Sequence, residues 1–476
     1  MRIRSPRRTL LRAGVLGAAV LLVIGIGGAT SPVLAANPGG SGDDSGVPTD
    51  QPLPPYTIFN PPLAPALVNG VATTVTQGTH DHAGFIIEVP PNWNGDLVMW
   101  AHGFRGGGFE LRVTPPDFNL RQKFLNEGFA WAASSYAGNG YDIRTGVLTT
   151  KDLADLFATT NSRPHRTYIA GVSMGGHIIG RSLEQYPGFY AGALPMCGVL
   201  GDQELFDYFL DFNLVAQDLA GVSAYPIPTN YLTAFVPQMK STLGTGSISV
   251  FSPQPTNALG QQWRDIMINR SGGARPGSAP AFAFWQNFLF SLSTPAVPPS
   301  PDDTTAMRPG QIATNLTTRY EPNSPVDVNK TILRVRPENV VQRVLPFLTQ
   351  VPKIQGRPLV PVVTLHGLGD LFVPFANEEQ YAQDAAKNHQ SDLVVQRAIR
   401  TINHCEFAPS EAGAAWDDLV NWVVNHQRPA GDDVLDPATV ADPNFGCRFT
   451  DPAAYNNPPP VPNPSTRKLF PACPAA

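Results

Sequence analysis

The chain has 476 residues, 42% of them hydrophobic, and a formal net charge of −5. That length accommodates one large domain with an insertion, or two domains, with a sizeable core. The mild acidity gives no support to a nucleic-acid partner, which usually requires a basic patch, and 49 prolines imply many rigid, extended connections.

The first element is a targeting pattern. Arg2, Arg4, Arg7, Arg8 and Arg12 precede an apolar run from Ala13 to about Ala29, and Val33-Leu34-Ala35 follows. A basic start, an apolar stretch and a small-x-small site make an export signal. Residues 1–35 are therefore expected to be removed, with cleavage after Ala35 or Ala36. Arg7-Arg8-Thr9-Leu10-Leu11-Arg12 also resembles the twin-arginine signal; an ordinary secretory signal with a basic start accounts for the same residues. The apolar run is short and glycine-rich for an anchor, and no later stretch is apolar enough to span a bilayer. The expectation is a secreted protein with no stable membrane anchor after cleavage.

Residues 36–55 read as a disordered Gly/Ser/Pro/Asp linker. From Phe85 the pattern alternates between strand and helix. Strands are expected at Phe85–Val89, Asp96–Ala101, Ala130–Ser135, Thr167–Ala170 and Ala191–Met196. Helices are expected at Leu120–Glu127, Leu153–Thr160 and Gly176–Leu183. Such alternation predicts an α/β fold, a parallel sheet covered by helices, with residues 56–200 as its first part. The alternation stops over 201–355, where aromatic amphipathic stretches such as Leu205–Phe212 and Ala281–Phe290 stand among Pro/Gly-rich loops. It resumes over 356–428, with strands at Leu359–Leu365 and Leu393–Ile399 and helices at Asn377–Lys387 and Ala412–Asn425. One sheet interrupted by an insertion is the simplest account. Residues 429–476 are a Pro-rich, irregular tail.

Gly171-Val172-Ser173-Met174-Gly175 lies between an expected strand and an expected helix. A G-x-S-x-G turn there forms a nucleophile elbow that lifts a serine hydroxyl above the sheet edge. A serine hydroxyl needs a base and an orienting acid to become a nucleophile. Asp370 lies in His366-Gly367-Leu368-Gly369-Asp370-Leu371-Phe372-Val373-Pro374, just after a core strand. His404 follows the next strand, in the loop before the last helix. Each alone reads equally as a loop residue; the order Ser173, Asp370, His404, each after a strand, points to a triad. The expected oxyanion donors are the backbone N–H of Met174 and that of Phe104, in His102-Gly103-Phe104-Arg105-Gly106-Gly107-Gly108. His102, His366, His177 and His165 read as structural, and His80 and His82 lack partners for a metal. No Cys/His spacing resembles a zinc site, and no cofactor is implied.

These motifs together resemble the α/β-hydrolase superfamily over roughly residues 85–200 and 355–430. The elbow form Gly-x-Ser-Met-Gly-Gly is similar to that of secreted bacterial carboxylesterases and of prolyl-oligopeptidase-like peptidases. The resemblance implies an α/β-hydrolase fold with 201–355 as a largely helical cap. It also implies a secreted serine hydrolase that cleaves carboxylic esters, small or polymeric, through an acyl-enzyme. An exported peptidase with the same triad and a non-catalytic binding module are the alternatives. Aromatic residues Phe206, Phe209, Trp285 and Phe288 read chiefly as the cap's own core. Asp202, Glu204, Asp207 and Asp211 read as a solvated helix face, or as a site for a substrate amine. Cys197, Cys405, Cys447 and Cys473 suggest disulfides in an exported chain, and the sequence leaves all three pairings and the oligomeric state open.

Overall fold

A computed structural model describes residues 46–292, 309–455, 465–471 and 473. The export signal at 1–35 lies outside the described residues, as does the linker up to residue 45. Residues 46–55 form turns: the His82 backbone N–H donates to Thr49 O at 3.0 Å and its ring Nδ1 to Gln51 O at 2.7 Å.

The main sheet has eight strands. In chain order they are β1 (Thr74–His80), β2 (Ala83–Val89), β3 (Leu97–Ala101), β4 (Ala130–Ser134), β5 (Thr167–Val172), β6 (Gly192–Met196), β7 (Val362–Gly367) and β8 (Val394–Ile399). Their order across the sheet is β1-β2-β4-β3-β5-β6-β7-β8. β2 runs antiparallel to both its neighbours, and from β4 to β8 every pairing is parallel. A mostly parallel eight-stranded sheet with this order, flanked by helices, is the α/β-hydrolase fold.

Both faces of the sheet are covered over its inner strands, so β3 to β7 are mostly apolar rather than alternating. On β3, Leu97, Met99 and Ala101 join one core with α2 (Ile143–Thr160) and α3 (Met174–Gln185). Val98 and Trp100 join the other, with α1 (Leu120–Asn126) and Trp416 and Leu419 of the last long helix, Pro409–Asn425. Residues 201–355 contribute α4 (Glu204–Ala220), α5 (Ala258–Arg270) and α6 (Ser278–Ser291). Phe212, Trp263 and Phe282 interlock there, with ring centroids 4.9 Å apart for both Phe212–Trp263 and Trp263–Phe282. This aromatic cluster belongs to the same core as the α2/α3 face.

Several boundaries differ from the expectation, each for a local reason. β1 is a polar edge strand, half exposed, so its sequence carries no apolar run. α2 starts ten residues before the expected Leu153, where the Asp142 carboxylate caps Thr145 N at 3.1 Å. β7 starts at Val362 rather than Leu359, because Pro361 has no N–H to give to a ladder. The last helix starts at Pro409, where the Glu411 side chain accepts from Ala408 N at 2.8 Å. The chain beyond it returns along β8, the open edge: Asp432 N–H donates to Gln396 O at 2.7 Å, and its carboxylate accepts from Ala398 N at 2.8 Å. Covered edges do not recruit other chains.

Candidate active site

Parallel strands bring their carboxyl ends to one edge of the sheet, and the loops that carry Phe104, Ser173, Asp370 and His404 all leave from that edge. Ser173 turns the chain from β5 into α3 with φ 56° and ψ −122°, a strained conformation for a residue with a side chain. The turn is held by Ser173 N–H to Met196 O at 3.1 Å and Gly176 N–H to Ser173 O at 2.8 Å. A Cβ on Gly171 would lie 2.2 Å from Ala101 O, and one on Gly175 2.1 Å from the same atom. Both glycines let the elbow press against the end of β3. Gly175→Ala should therefore destabilise the fold by more than about 3 kcal/mol; an unchanged denaturation midpoint would contradict this packing.

The structure brings the three expected residues together. His404 Nε2 lies 2.8 Å from Ser173 Oγ, and His404 Nδ1 lies 2.5 Å from Asp370 Oδ2. Asp370 is fully buried, and its other oxygen, Oδ1, accepts from the amides of Phe372 at 2.9 Å and Val373 at 3.0 Å. Those two bonds fix which carboxylate oxygen faces the imidazole. The acid and histidine loops run side by side: Leu368 N–H donates to Ile399 O and Gly369 N–H to Thr401 O, both at 2.8 Å. A Cβ on Gly369 would lie 2.6 Å from Ile402.

Met174 is the first residue of α3, where the backbone N–H groups have no intrahelical partner. Gly103 packs on the serine, its Cβ position 3.0 Å from Ser173 Cβ, and Phe104 is the next residue. No hydrogen bond among the described residues uses the Phe104 N–H. The loop is anchored by His102, whose ring stacks on Tyr136 at 3.9 Å and lies 2.7 Å from Gly103 O. Burial, with Arg105 nearby, pushes the His102 imidazole down to about 3, so it is neutral and structural. His177 is likewise held down to about 3 by burial, between Tyr141 Oη and Pro352 O.

His366, expected to be structural, sits beneath the acid loop, its Nε2 donating to Val373 O at 2.8 Å and its Nδ1 facing Glu378 at 3.1 Å. Burial disfavours its charge, but the Glu378 hydrogen bond and charge, with Asp370 nearby, raise its pKa overall.

Three supporting residues had no local sequence signal. Trp285 of α6 donates its Nε1–H to both Gly369 O at 3.1 Å and Ile402 O at 2.9 Å, bridging the two loops. Arg275 donates to Leu368 O at 2.6 Å. Glu378 ties Thr364 to β8 through Gln396. Of the four aromatics read as cap core, Phe206, Phe209 and Trp285 are buried, but Phe288 is 39% exposed. Phe288 packs edge-on against Phe372 at 4.9 Å, and Phe372 against the His404 ring at 5.0 Å.

The acidic cluster corrects both of its readings. Asp202, Asp207 and Asp211 are buried rather than solvated, and they have partners already. Asp207 pairs with Arg343 and Asp211 with Arg270, at 2.6 and 2.8 Å. Asp202 accepts from Ile354 N at 2.8 Å, and burial pushes its carboxyl up to about 8. None of the three is left to bind an amine; Glu204 remains half exposed.

Cys197, at the end of β6, is bonded to Cys405, beside His404, and Cys447 to Cys473. Among the described residues, Cys197, His404 and Cys405 are the one group of three donors close enough to share an ion, and its two sulfurs are committed to the disulfide. No helix among the described residues is long and apolar enough to cross a membrane.

No known family model matches the chain. A curated relative, o-phthalyl amidase of Xanthobacter agilis, is 27% identical over 96 residues, which is 20% of this chain and 21% of that protein. Among solved structures the chain is similar to feruloyl esterase B from Aspergillus oryzae, with a TM-score of 0.43 and 14% identity over 77% of this chain and 86% of that one. It is also similar to another esterase from Aspergillus oryzae, with a TM-score of 0.40 and 15% identity over 75% and 81% of the two chains.

Proposed function

We propose that this protein is a secreted serine hydrolase that cleaves carboxylic esters through Ser173, His404 and Asp370. The observation that carries the reading is the unbroken chain from Ser173 Oγ through the His404 imidazole to the buried Asp370 carboxylate. Ser173 Oγ attacks the ester carbonyl while His404 Nε2 takes its proton. Asp370 holds the tautomer with Nδ1 protonated and stabilises the imidazolium. The amides of Met174 and Phe104 hold the oxyanion. As the tetrahedral intermediate collapses, His404 returns the proton to the leaving alcohol, and the acyl group stays on Ser173. Water, deprotonated by His404, attacks the acyl-enzyme, and collapse frees the acid and restores the serine. The proton count closes with no cofactor in these steps.

Residues 201–355 act in this reading as a cap, a role supported by the grip of Trp285 on both catalytic loops. Export is supported by the basic and apolar N-terminal residues and by two disulfides. The exposed Phe288 beside Phe372 favours an ester with an apolar group near His404. Phe288→Ala should lower kcat/KM for a bulky aromatic ester about tenfold relative to a short acetate ester, the loss of one partly buried ring contact. An unchanged ratio would remove Phe288 from substrate binding.

A panel of acyl and aromatic esters set against aminoacyl anilides tests the reaction class, with Ser173→Ala as control. Ester turnover that exceeds anilide turnover and disappears in the control is the expected result. Faster anilide turnover would make the protein a peptidase, and no Ser173-dependent turnover would make it a binding module.

A further inference from the structure

The loop that carries His404 is held from outside by a segment far along the chain. Residues 400–408 connect β8 to the last long helix, and Thr466 of the tail meets them at three points. Its Oγ1 accepts from the amides of Ile402 at 2.7 Å and Asn403 at 3.1 Å, and donates to the Glu406 carboxylate. A hydroxyl has one proton to donate and two lone pairs to accept with, so all of its capacity is spent on this loop. Glu406 in turn takes Ser465 Oγ at 2.6 Å and Thr466 N at 3.1 Å, so every side-chain partner it has among the described residues comes from the tail. Arg467 donates to Glu406 O at 3.2 Å and forks onto Glu411, in the first turn of the helix beyond, with two bonds of 2.7 Å. Glu406, Thr466 and Arg467 are all buried. The same stretch is tied to the loop's start by Arg400, which donates to Pro471 O at 2.9 Å, and to the body of the fold by the Cys447–Cys473 bond.

We propose that Thr466 is a positioning residue for His404, the centre of a strap through which residues 465–471 set the backbone from which the imidazole projects. This rests on the reading of His404 as the base. The ring must meet Asp370 with one nitrogen and Ser173 with the other. The loop carries no regular structure of its own, and the disulfide to Cys197 restrains only its Cys405 side. Thr466 holds the amides one and two residues before His404 and the side chain two residues after it, so the imidazole is braced from both directions.

Thr466→Val keeps the shape and removes the hydroxyl, leaving two buried amides unpartnered and Glu406 Oε2 with only the 3.4 Å contact to the amide of residue 466. In the full exported protein, with turnover counted per active site titrated by a fluorophosphonate, it should lower kcat by about 10- to 100-fold, because a small misplacement of a catalytic group costs on that order. KM should stay within about threefold. Thr466→Ser, which restores all three bonds, should recover kcat to within about threefold. If Thr466→Val fails to fold, Glu406→Gln tests the same strap and should show the same kcat loss with KM within about threefold. A wild-type kcat per titrated site overturns the proposal, as does a Thr466→Ser variant no better than Thr466→Val. His404→Ala separates the two levels. If it is inactive while Thr466→Val is normal, only the strap fails; if it retains full turnover, the reading of His404 fails and takes the strap with it.

Discussion

Ser173→Ala should lower turnover of an activated ester by about a million-fold, and His404→Ala by nearly as much. In the proposed mechanism the two residues act on one proton: without the base the hydroxyl is a poor nucleophile, and without the hydroxyl the base has nothing to activate. Their losses therefore do not add, and the double variant should be no worse than either single one. The small rate that remains would come from substrate held against the Met174 and Phe104 amides and attacked by water. Steady-state kinetics on the two single variants and the double one check this. A Ser173→Ala protein with more than about 1% of wild-type turnover would place the nucleophile elsewhere. Losses that multiply would mean that Ser173 and His404 do not work as a unit, despite the 2.8 Å contact between them.

Asp370→Asn should cost about ten-thousand-fold in kcat while leaving the fold intact. The reason lies in the carboxylate's two separate tasks. Oδ1 accepts from the amides of Phe372 and Val373, whereas Oδ2 faces His404 Nδ1. In asparagine only the carbonyl oxygen can accept from those two amides, so the side-chain NH2 must turn toward His404. It then donates to Nδ1, which forces the ring proton onto Nε2, the nitrogen that has to accept from Ser173. The variant is thus a well-folded protein with the wrong tautomer. A loss of less than about tenfold would show that Asp370 does not set the tautomer. A large loss accompanied by a lower thermal midpoint would instead point to disruption of the acid loop.

The candidate site was more legible in the sequence than the apparatus that holds it. Ser173, Asp370 and His404 could be read because each follows an apolar strand in a chain whose alternation is regular there, and the chemistry restricts the residue types. The elbow glycines could be read because the turn leaves no space for a side chain, as the clash of both positions with Ala101 O bears out. The pairing of the cysteines could not be read, since it depends on β6 lying near the histidine loop, a fact of topology rather than of spacing. Thr466 and Arg275 were invisible for a related reason: they act through backbone carbonyls and amides of distant loops, and any polar residue in an irregular segment looks the same; Trp285 was read as cap core, and its indole N–H bonds to two distant carbonyls left no mark in the sequence. β1 was missed because an edge strand needs little apolar content. The acidic run of α4 was misread because helical periodicity says which residues share a face, but not that arginines from two other segments, Arg270 and Arg343, arrive to cover it.

The most direct test of Ser173 as an activated nucleophile is covalent labelling by a fluorophosphonate, followed by peptide mass spectrometry to locate the adduct. In the folded protein the label should fall on Ser173 alone. It should vanish in Ser173→Ala and form at least a thousand-fold more slowly in His404→Ala. A label on another residue, no label at all, or equal rates with and without His404 would contradict the account.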